Sequence, residues 1–157
     1  MNHKAGVALA FILAVIVAGV LGSIFQTQVN LADMRDIGPP ISFAMRMDNT
    51  WHDLTRFAPI YTLIVLLTFA ISFLLAEWIA RKVPGHRMVW LVLAAIVSLA
   101  VSFQVIDAFA PMPTLIAATR SISGTLAMLL AAAIGALVYV LMTPQLNSPL
   151  DSQEQDL

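Results

Sequence analysis

Long uncharged apolar segments dominate the pattern of hydrophobic and polar positions in this chain. Four segments of 19 to 23 residues contain no Asp, Glu, Lys or Arg. An α-helix rises about 1.5 Å per residue and needs about 20 residues to cross a hydrocarbon core of about 30 Å. These segments are apolar on all sides, whereas strands of a membrane barrel alternate in polarity. The pattern therefore predicts an all-α integral membrane four-helix bundle, a tetraspan, with spans at about residues 5–25, 57–80, 88–107 and 121–143.

The composition of the chain supports a membrane protein. Apolar residues make up 60% and charged residues 11% of the chain, whereas soluble domains average about 45–50% and about 25%. Cysteine is absent, which excludes a disulfide scaffold, and a net charge of −1 provides no basic surface for nucleic acid. We therefore expect membrane lipids, and no nucleic acid, among the partners.

The distribution of positive charge predicts the orientation. Four spans place both termini on one side of the membrane, together with the connection at residues 81–87. Each side carries four Lys or Arg residues, so their density decides: this connection holds three of them, and Lys4 directly precedes the first span. Because cytoplasmic connections are enriched in Lys and Arg, both termini are predicted to be cytoplasmic, in a bacterial-type inner (plasma) membrane. The first apolar run is longer than the roughly 7–15 residues of a cleavable signal, so it is predicted to remain as an anchor.

Residues 26–56 are predicted to form a larger first extracytoplasmic loop. Apolar and polar residues alternate over residues 41–48, a pattern typical of a half-buried strand. So short a strand cannot form a stable sheet alone, and we expect an apolar ribbon over the outer mouth of the bundle. Thr50 and Asp53 approximate a capping box, which predicts that the second helix begins near Trp51.

The other extramembrane segments differ sharply in polarity. Residues 107–120 are unusually apolar for a connection, and we expect them to lie in the headgroup layer, beneath the first loop or against a partner. The C-terminal tail, residues 144–157, contains three acids and no base. This composition predicts a flexible, solvated segment.

Small residues recur at every fourth position in the first and fourth spans. Lipid tails are as apolar as leucine, so helices in a membrane associate through close backbone approach and hydrogen bonds. Spacing by four residues keeps the small residues on one helix face. We expect the two stripes to pack together within the bundle; alternatively, one stripe faces another protein. The stripes are Gly6, Ala10, Ala14, Ala18 and Gly22, and Ser123, Ala127, Ala131 and Gly135.

Two groups of polar residues near the span ends are candidates for specific interactions. Glu77 and Arg81 are four residues apart in the favourable order, which predicts an ion pair at the inner interface. At the outer end, a second group either fixes the helix ends through an ion pair of Asp107 or contacts the headgroup of a ligand. This second group consists of Arg56, Gln104, Asp107 and Arg120.

Residues that could carry catalysis or hold a metal are sparse. All three histidines lie outside the spans, so axial ligation of a transmembrane haem is not expected. The soft thioethers of Met45 and Met47, with the imidazole of His52, could form a copper site, but methionine is also a common filler of apolar gaps. The sequence contains no recognised catalytic motif, and we predict no catalytic residue, cofactor or metal.

These features favour a non-catalytic accessory or assembly subunit that contacts other membrane-protein subunits or a second copy of itself. The sparse reactive groups, the small-residue faces and the apolar outer connections motivate this hypothesis. An alternative is a binder or carrier of a lipid or quinone, with the headgroup held at the outer mouth. A third is a homo-oligomeric channel, which the lack of a continuous polar stripe disfavours. An enzyme is the least favoured class.

Overall fold

The structure, a computed structural model, describes residues 3–35, 41–109 and 116–144, and it is all-helical over them. All four α-helices are long and apolar enough to cross a membrane. The predicted all-α chain with four candidate membrane-spanning helices is confirmed, and it supports a multi-pass membrane protein. The helices are α1 (His3–Arg35), α2 (Phe43–Lys82), α3 (Arg87–Phe109) and α4 (Ile122–Met142), with a 3₁₀ turn (Ala117–Arg120) before α4. Nearly all of the predicted flexible tail lies outside the described residues.

Most of the predicted first loop, residues 26–56, is helical. α1 continues to Arg35 and α2 begins at Phe43, so the predictions of a long loop and of a strand-like ribbon are wrong. The helical backbone satisfies its own hydrogen bonds, and side chains of the two helices bond to each other in this region. Thr27 Oγ1, for example, donates to Asp53 Oδ2 at 2.7 Å.

The start of α2 also differs from the prediction. Ser42 is the N-cap, and its hydroxyl accepts a hydrogen bond from the Met45 backbone N–H at 3.2 Å. Such a cap satisfies one of the free N–H groups of the first turn. The predicted helix start near Trp51 is therefore wrong, and the Thr50 hydroxyl instead donates to the Arg46 carbonyl at 2.8 Å within the helix.

The lengths of the helices produce a projection at one end of the bundle. α1 has 33 residues and α2 has 40, which correspond to about 50 and 60 Å of helix. α3 and α4 have 23 and 21 residues, or about 35 and 32 Å. Because α2 and α3 are joined at the other end, α1 and α2 continue past the shorter helices. We call this part, residues 26–35 and 43–56, the helical hairpin extension.

The small-residue stripes meet where α1 packs along α4, the most extensive helix contact in the structure. A Cβ on Gly135 would lie 2.7 Å from the Ala14 carbonyl oxygen and 2.7 Å from the Ala18 Cβ, so a larger residue fits here only if α1 and α4 shift apart. Gly22 departs from the expectation, because the atoms nearest to a Cβ on it belong to the Tyr61 ring of α2. The remaining stripe positions range from fully buried to exposed: Ala10 and Ala131 are fully buried, Gly6 and Ala127 are half-buried, and Ser123 is exposed.

Aromatic rings fill the centre of the bundle, and aliphatic side chains cover its outside. Phe69 and Phe73 stack with ring centroids 4.6 Å apart, and Tyr139 of α4 lies 5.0 Å from Phe73. An apolar exterior of this extent is expected where lipid, rather than water, surrounds the protein. Exposed large side chains on the four helices include Leu9, Ile16, Leu67, Leu74, Val97 and Leu130.

Candidate functional site

Polar side chains tie together the two helices of the hairpin extension. Arg46 Nη1 donates to Gln28 Oε1 at 3.0 Å, and Gln28 Nε2 donates to Thr50 Oγ1 at 3.2 Å. The Thr50 hydroxyl then donates to the Arg46 carbonyl, which closes a ring of three hydrogen bonds. With the bond from Thr27 to Asp53, these contacts fix the register of α1 against α2 and hold the Arg46 guanidinium in place.

A groove opens beside this hydrogen-bonded ring. Its volume is about 480 Å³, within the range of roughly 300–1,000 Å³ that is usual for ligand clefts. Its lining combines the polar side chains of the ring with apolar side chains. We call it the Arg46 groove; its lining residues are Gln28, Ile41, Phe43, Arg46, Met47 and Thr50.

Three large apolar side chains form an exposed ridge on the N-terminal part of α2. Phe43, Met47 and Trp51 are 78%, 56% and 70% exposed, and their spacing by four residues places them on one side of the helix. The same side of α2 continues towards the bundle through Ala58, Tyr61 and Val65, which are buried. The ridge therefore extends the core-facing side of α2 beyond the ends of α3 and α4.

Unpartnered polar atoms lie where the hairpin extension joins the bundle. Ser23 Oγ, Gln26 Oε1 and Tyr61 OH are buried and have no hydrogen-bond partner among the described residues. Tyr61 lies against Gly22, one helical turn from Gln26, and its ring stacks on Phe57 with centroids 5.5 Å apart. A buried polar group without a partner lowers stability by roughly 1–3 kcal/mol. This layer is therefore a local weakness in the packing of α1 on α2.

The predicted headgroup residues are only partly brought together. Gln104 and Asp107 share one face of α3, where Gln104 is exposed and Asp107 is half-buried. Arg56 is exposed on α2, and within the described residues no hydrogen bond or ion pair joins it to Gln104 or Asp107. Arg120 is exposed at the end of the 3₁₀ turn before α4. The headgroup site at these residues remains a prediction.

The three residues considered as candidate copper ligands do not converge. Met45 and Met47 are two residues apart, so the helix directs them to nearly opposite sides of α2. The strand-like alternation expected from the sequence would have placed both on one side. Both methionines and His52 are exposed, and the part of the chain that the structure describes holds no cluster of three or more His, Asp or Glu residues suited to a metal.

Glu77 forms its ion pair with Arg87, not with the predicted Arg81. Arg87 Nε lies 3.0 Å from both Glu77 carboxylate oxygens, and the two side chains are 7% and 16% exposed. Arg87 Nη1 and Nη2 also donate to the Thr143 carbonyl at 2.9 Å and to its hydroxyl at 2.8 Å. This arrangement, the Arg87 latch, joins the ends of α2, α3 and α4. Arg81 is exposed.

Two features of the site were missed by the sequence patterns for different reasons. The ridge was visible in principle, because Phe43, Met47 and Trp51 fit a helical repeat as well as residues 41–48 fit an alternating one. The Arg46 groove depends on Gln28, which comes from another helix, and no local pattern identifies such a contact. Comparisons with protein families, with curated proteins and with solved structures found no match to this chain.

Proposed function

We propose that this chain is a non-catalytic accessory or assembly subunit that binds a helix of a partner membrane protein through the ridge of Phe43, Met47 and Trp51. The observation that carries this proposal is the continuity of the ridge with the side of α2 that packs against helices inside the bundle. Beyond the ends of α3 and α4, the same side is exposed. Its chemistry fits an apolar helix with small residues at the contact, as on α1.

The energy available at the ridge supports this function. Burying a large apolar side chain contributes about 1.5–3 kcal/mol, and three such side chains lie on one side of α2. The hairpin extension is already held by the bonds of Thr27 to Asp53 and of Arg46 to Gln28. A surface ordered in advance loses less conformational entropy on binding, which favours a specific contact.

The proposed location is a bacterial-type inner membrane with both termini in the cytoplasm. Arg81 and Lys82 are exposed at the end of α2, and the Lys82 ammonium lies 4.5 Å from the centre of the exposed Trp78 ring. Paired aromatic and cationic side chains are typical of the membrane–water interface. This orientation places the hairpin extension and its ridge on the extracytoplasmic side.

Site-specific photo-crosslinking in native membranes tests the partner proposal. A photoreactive residue is introduced at 43, 47 or 51 in the ridge and, as matched controls, at Asp48 and His52, which are exposed elsewhere on the same helix. We expect a cross-link to one membrane protein from the ridge positions and none from the controls. Met47→Asp should then prevent co-purification of that protein without changing the thermal stability of this chain.

Three outcomes would contradict the proposal. Equal cross-linking from ridge and control positions would indicate random encounters with neighbouring proteins. Cross-links only within one chain would show that the ridge is covered by the protein itself. Cross-links only to a second copy of this chain would indicate a homo-oligomer instead of a complex with a different membrane protein.

A further inference from the structure

The Arg46 groove combines a fixed cation with an apolar wall. Arg46 is half-buried, and the ring through Gln28 and Thr50 fixes its guanidinium. The side chains of Ile41, Phe43 and Met47 supply the apolar part of the lining. A pocket of this composition distinguishes an amphiphilic molecule from a purely polar or purely apolar one.

The guanidinium of Arg46 has unused capacity for an anion. Of its five N–H donors, one bonds to the neutral Gln28 amide oxygen, and within the described residues no carboxylate lies at ion-pair distance. A guanidinium donates two parallel hydrogen bonds to a carboxylate or a phosphate, which are shorter and stronger than bonds to neutral groups. The free donors therefore match an anionic head in their charge and their geometry.

The position of Arg46 in α2 adds to this charge. Arg46 belongs to the first turn of the helix, which contains no acidic residue. The N-terminal end of a helix carries partial positive charge, so a cation there is unfavourable unless an anion is nearby. A bound anion would interact favourably with both the guanidinium and the helix end.

We propose that the Arg46 groove binds an amphiphile with a carboxylate or phosphate head and an aliphatic tail. Arg46 contacts the head, Gln28 and Thr50 hold Arg46, and the tail lies against Ile41, Phe43 and Met47. This site is separate from the predicted headgroup residues at Arg56, Gln104, Asp107 and Arg120. It shares Phe43 and Met47 with the proposed partner surface, so the ligand tail and a partner helix would compete for these two side chains.

The distance of the groove from the membrane restricts the ligand to a molecule that can leave the bilayer. The series of exposed aliphatic side chains along the membrane-spanning part of α2 begins at Ile60. Arg46 precedes Ile60 by 14 residues, or about 21 Å of helix. A single-chain amphiphile with monomeric solubility can reach this position, whereas a phospholipid that stays in the bilayer cannot.

Equilibrium dialysis of the purified full-length protein in a neutral detergent tests the site. The probes are radiolabelled decanoate, decyl phosphate and decanol, and uptake by protein-free micelles is subtracted. We expect saturable binding of one anionic probe per chain and none of decanol. The decanoate and decyl phosphate arms show whether the head is a carboxylate or a phosphate.

Matched variants distinguish binding in this groove from binding at the outer end of the bundle. Arg46→Gln should weaken binding of the anionic probe at least ten-fold, while Arg56→Gln, on the same helix but outside the groove, should bind like the wild type. Equal binding by Arg46→Gln and wild type, or binding of decanol as tight as that of decanoate, would overturn the proposal. A loss of binding in Arg56→Gln alone would also overturn it.

A measurement on the wild-type protein keeps the test valid if the Arg46→Gln variant does not fold. Phenylglyoxal reacts with arginine side chains, and peptide mass spectrometry reports the reaction at each position. The better-binding anionic probe should slow modification of Arg46 at least five-fold and leave that of Arg56 unchanged. Equal rates at Arg46 with and without probe would overturn the assignment.

Discussion

At the scale of single residues, the Arg87 side chain connects three helices of the bundle. Its guanidinium donates to Glu77 of α2 and to Thr143 at the end of α4, while its backbone begins α3. Its Cζ also lies 5.7 Å from the centre of the Tyr139 ring. One side chain therefore fixes the relative positions of three helix ends.

Replacing Arg87 should destabilise the bundle strongly. Removing one partner of a buried ion pair leaves the other charge unpaired, which costs about 3–5 kcal/mol. We expect Arg87→Gln to lower the free energy of unfolding by about this amount, because Glu77 is only 16% exposed. Denaturant unfolding in detergent micelles measures the effect. Arg81→Gln, at an exposed position, is the control and should change stability little; an equal loss in both variants would contradict the latch.

Tyr61 and Thr27 should respond in opposite ways to loss of a hydroxyl. The Tyr61 hydroxyl is buried without a partner among the described residues, so Tyr61→Phe should leave stability unchanged or raise it. The Thr27 hydroxyl donates to Asp53, so Thr27→Val should lower the free energy of unfolding by about 1–3 kcal/mol. Thermal unfolding of the two variants checks this contrast. A large loss of stability in Tyr61→Phe would show that its hydroxyl has a bonding role.

At the scale of elements, the contact of α1 with α4 sets how close two helices can approach. A methyl group on Gly135 would overlap the Ala14 carbonyl oxygen, which is backbone and cannot move aside alone. Overpacking of this kind costs about 1–3 kcal/mol, and we expect Gly135→Ala to destabilise the bundle by that amount. Ser123→Thr adds a methyl group to an exposed position of the same helix and is the control in the same unfolding measurement. Similar stability of both variants would contradict the close contact.

The four candidate membrane-spanning helices could be predicted from the sequence because crossing a bilayer requires a particular length and composition. The same constraint does not act on residues 26–56, where an alternating and a helical repeat fit the same side chains equally well. The choice depends on bonds between elements, such as that of Gln28 to Thr50, which no window of sequence contains. The predicted ion pair of Glu77 with Arg81 was wrong for a related reason. Its partner Arg87 is ten residues away and reaches it because the chain reverses between α2 and α3.

At the scale of the whole molecule, the unequal lengths of the helices give the protein two different ends. One end carries the Arg87 latch and the exposed cations Arg81 and Lys82. The other end carries the hairpin extension with its ridge and the Arg46 groove. Both proposals, the partner helix and the amphiphile, concern this second end. The side of the membrane on which this second end lies therefore decides which partners and ligands can reach it.

Labelling of single cysteines should place these two ends on opposite sides of the membrane. The chain has no cysteine of its own, so Asp48→Cys on the hairpin extension and His86→Cys between α2 and α3 each introduce a unique thiol at an exposed position. In spheroplasts of a bacterial host, a membrane-impermeant maleimide should label Asp48→Cys directly and His86→Cys only after permeabilisation. The physical reason is that short cationic connections, such as the one beside His86, are generally retained in the cytoplasm. The reverse pattern would invert the proposed orientation, and direct labelling of both positions would contradict a membrane-spanning α2.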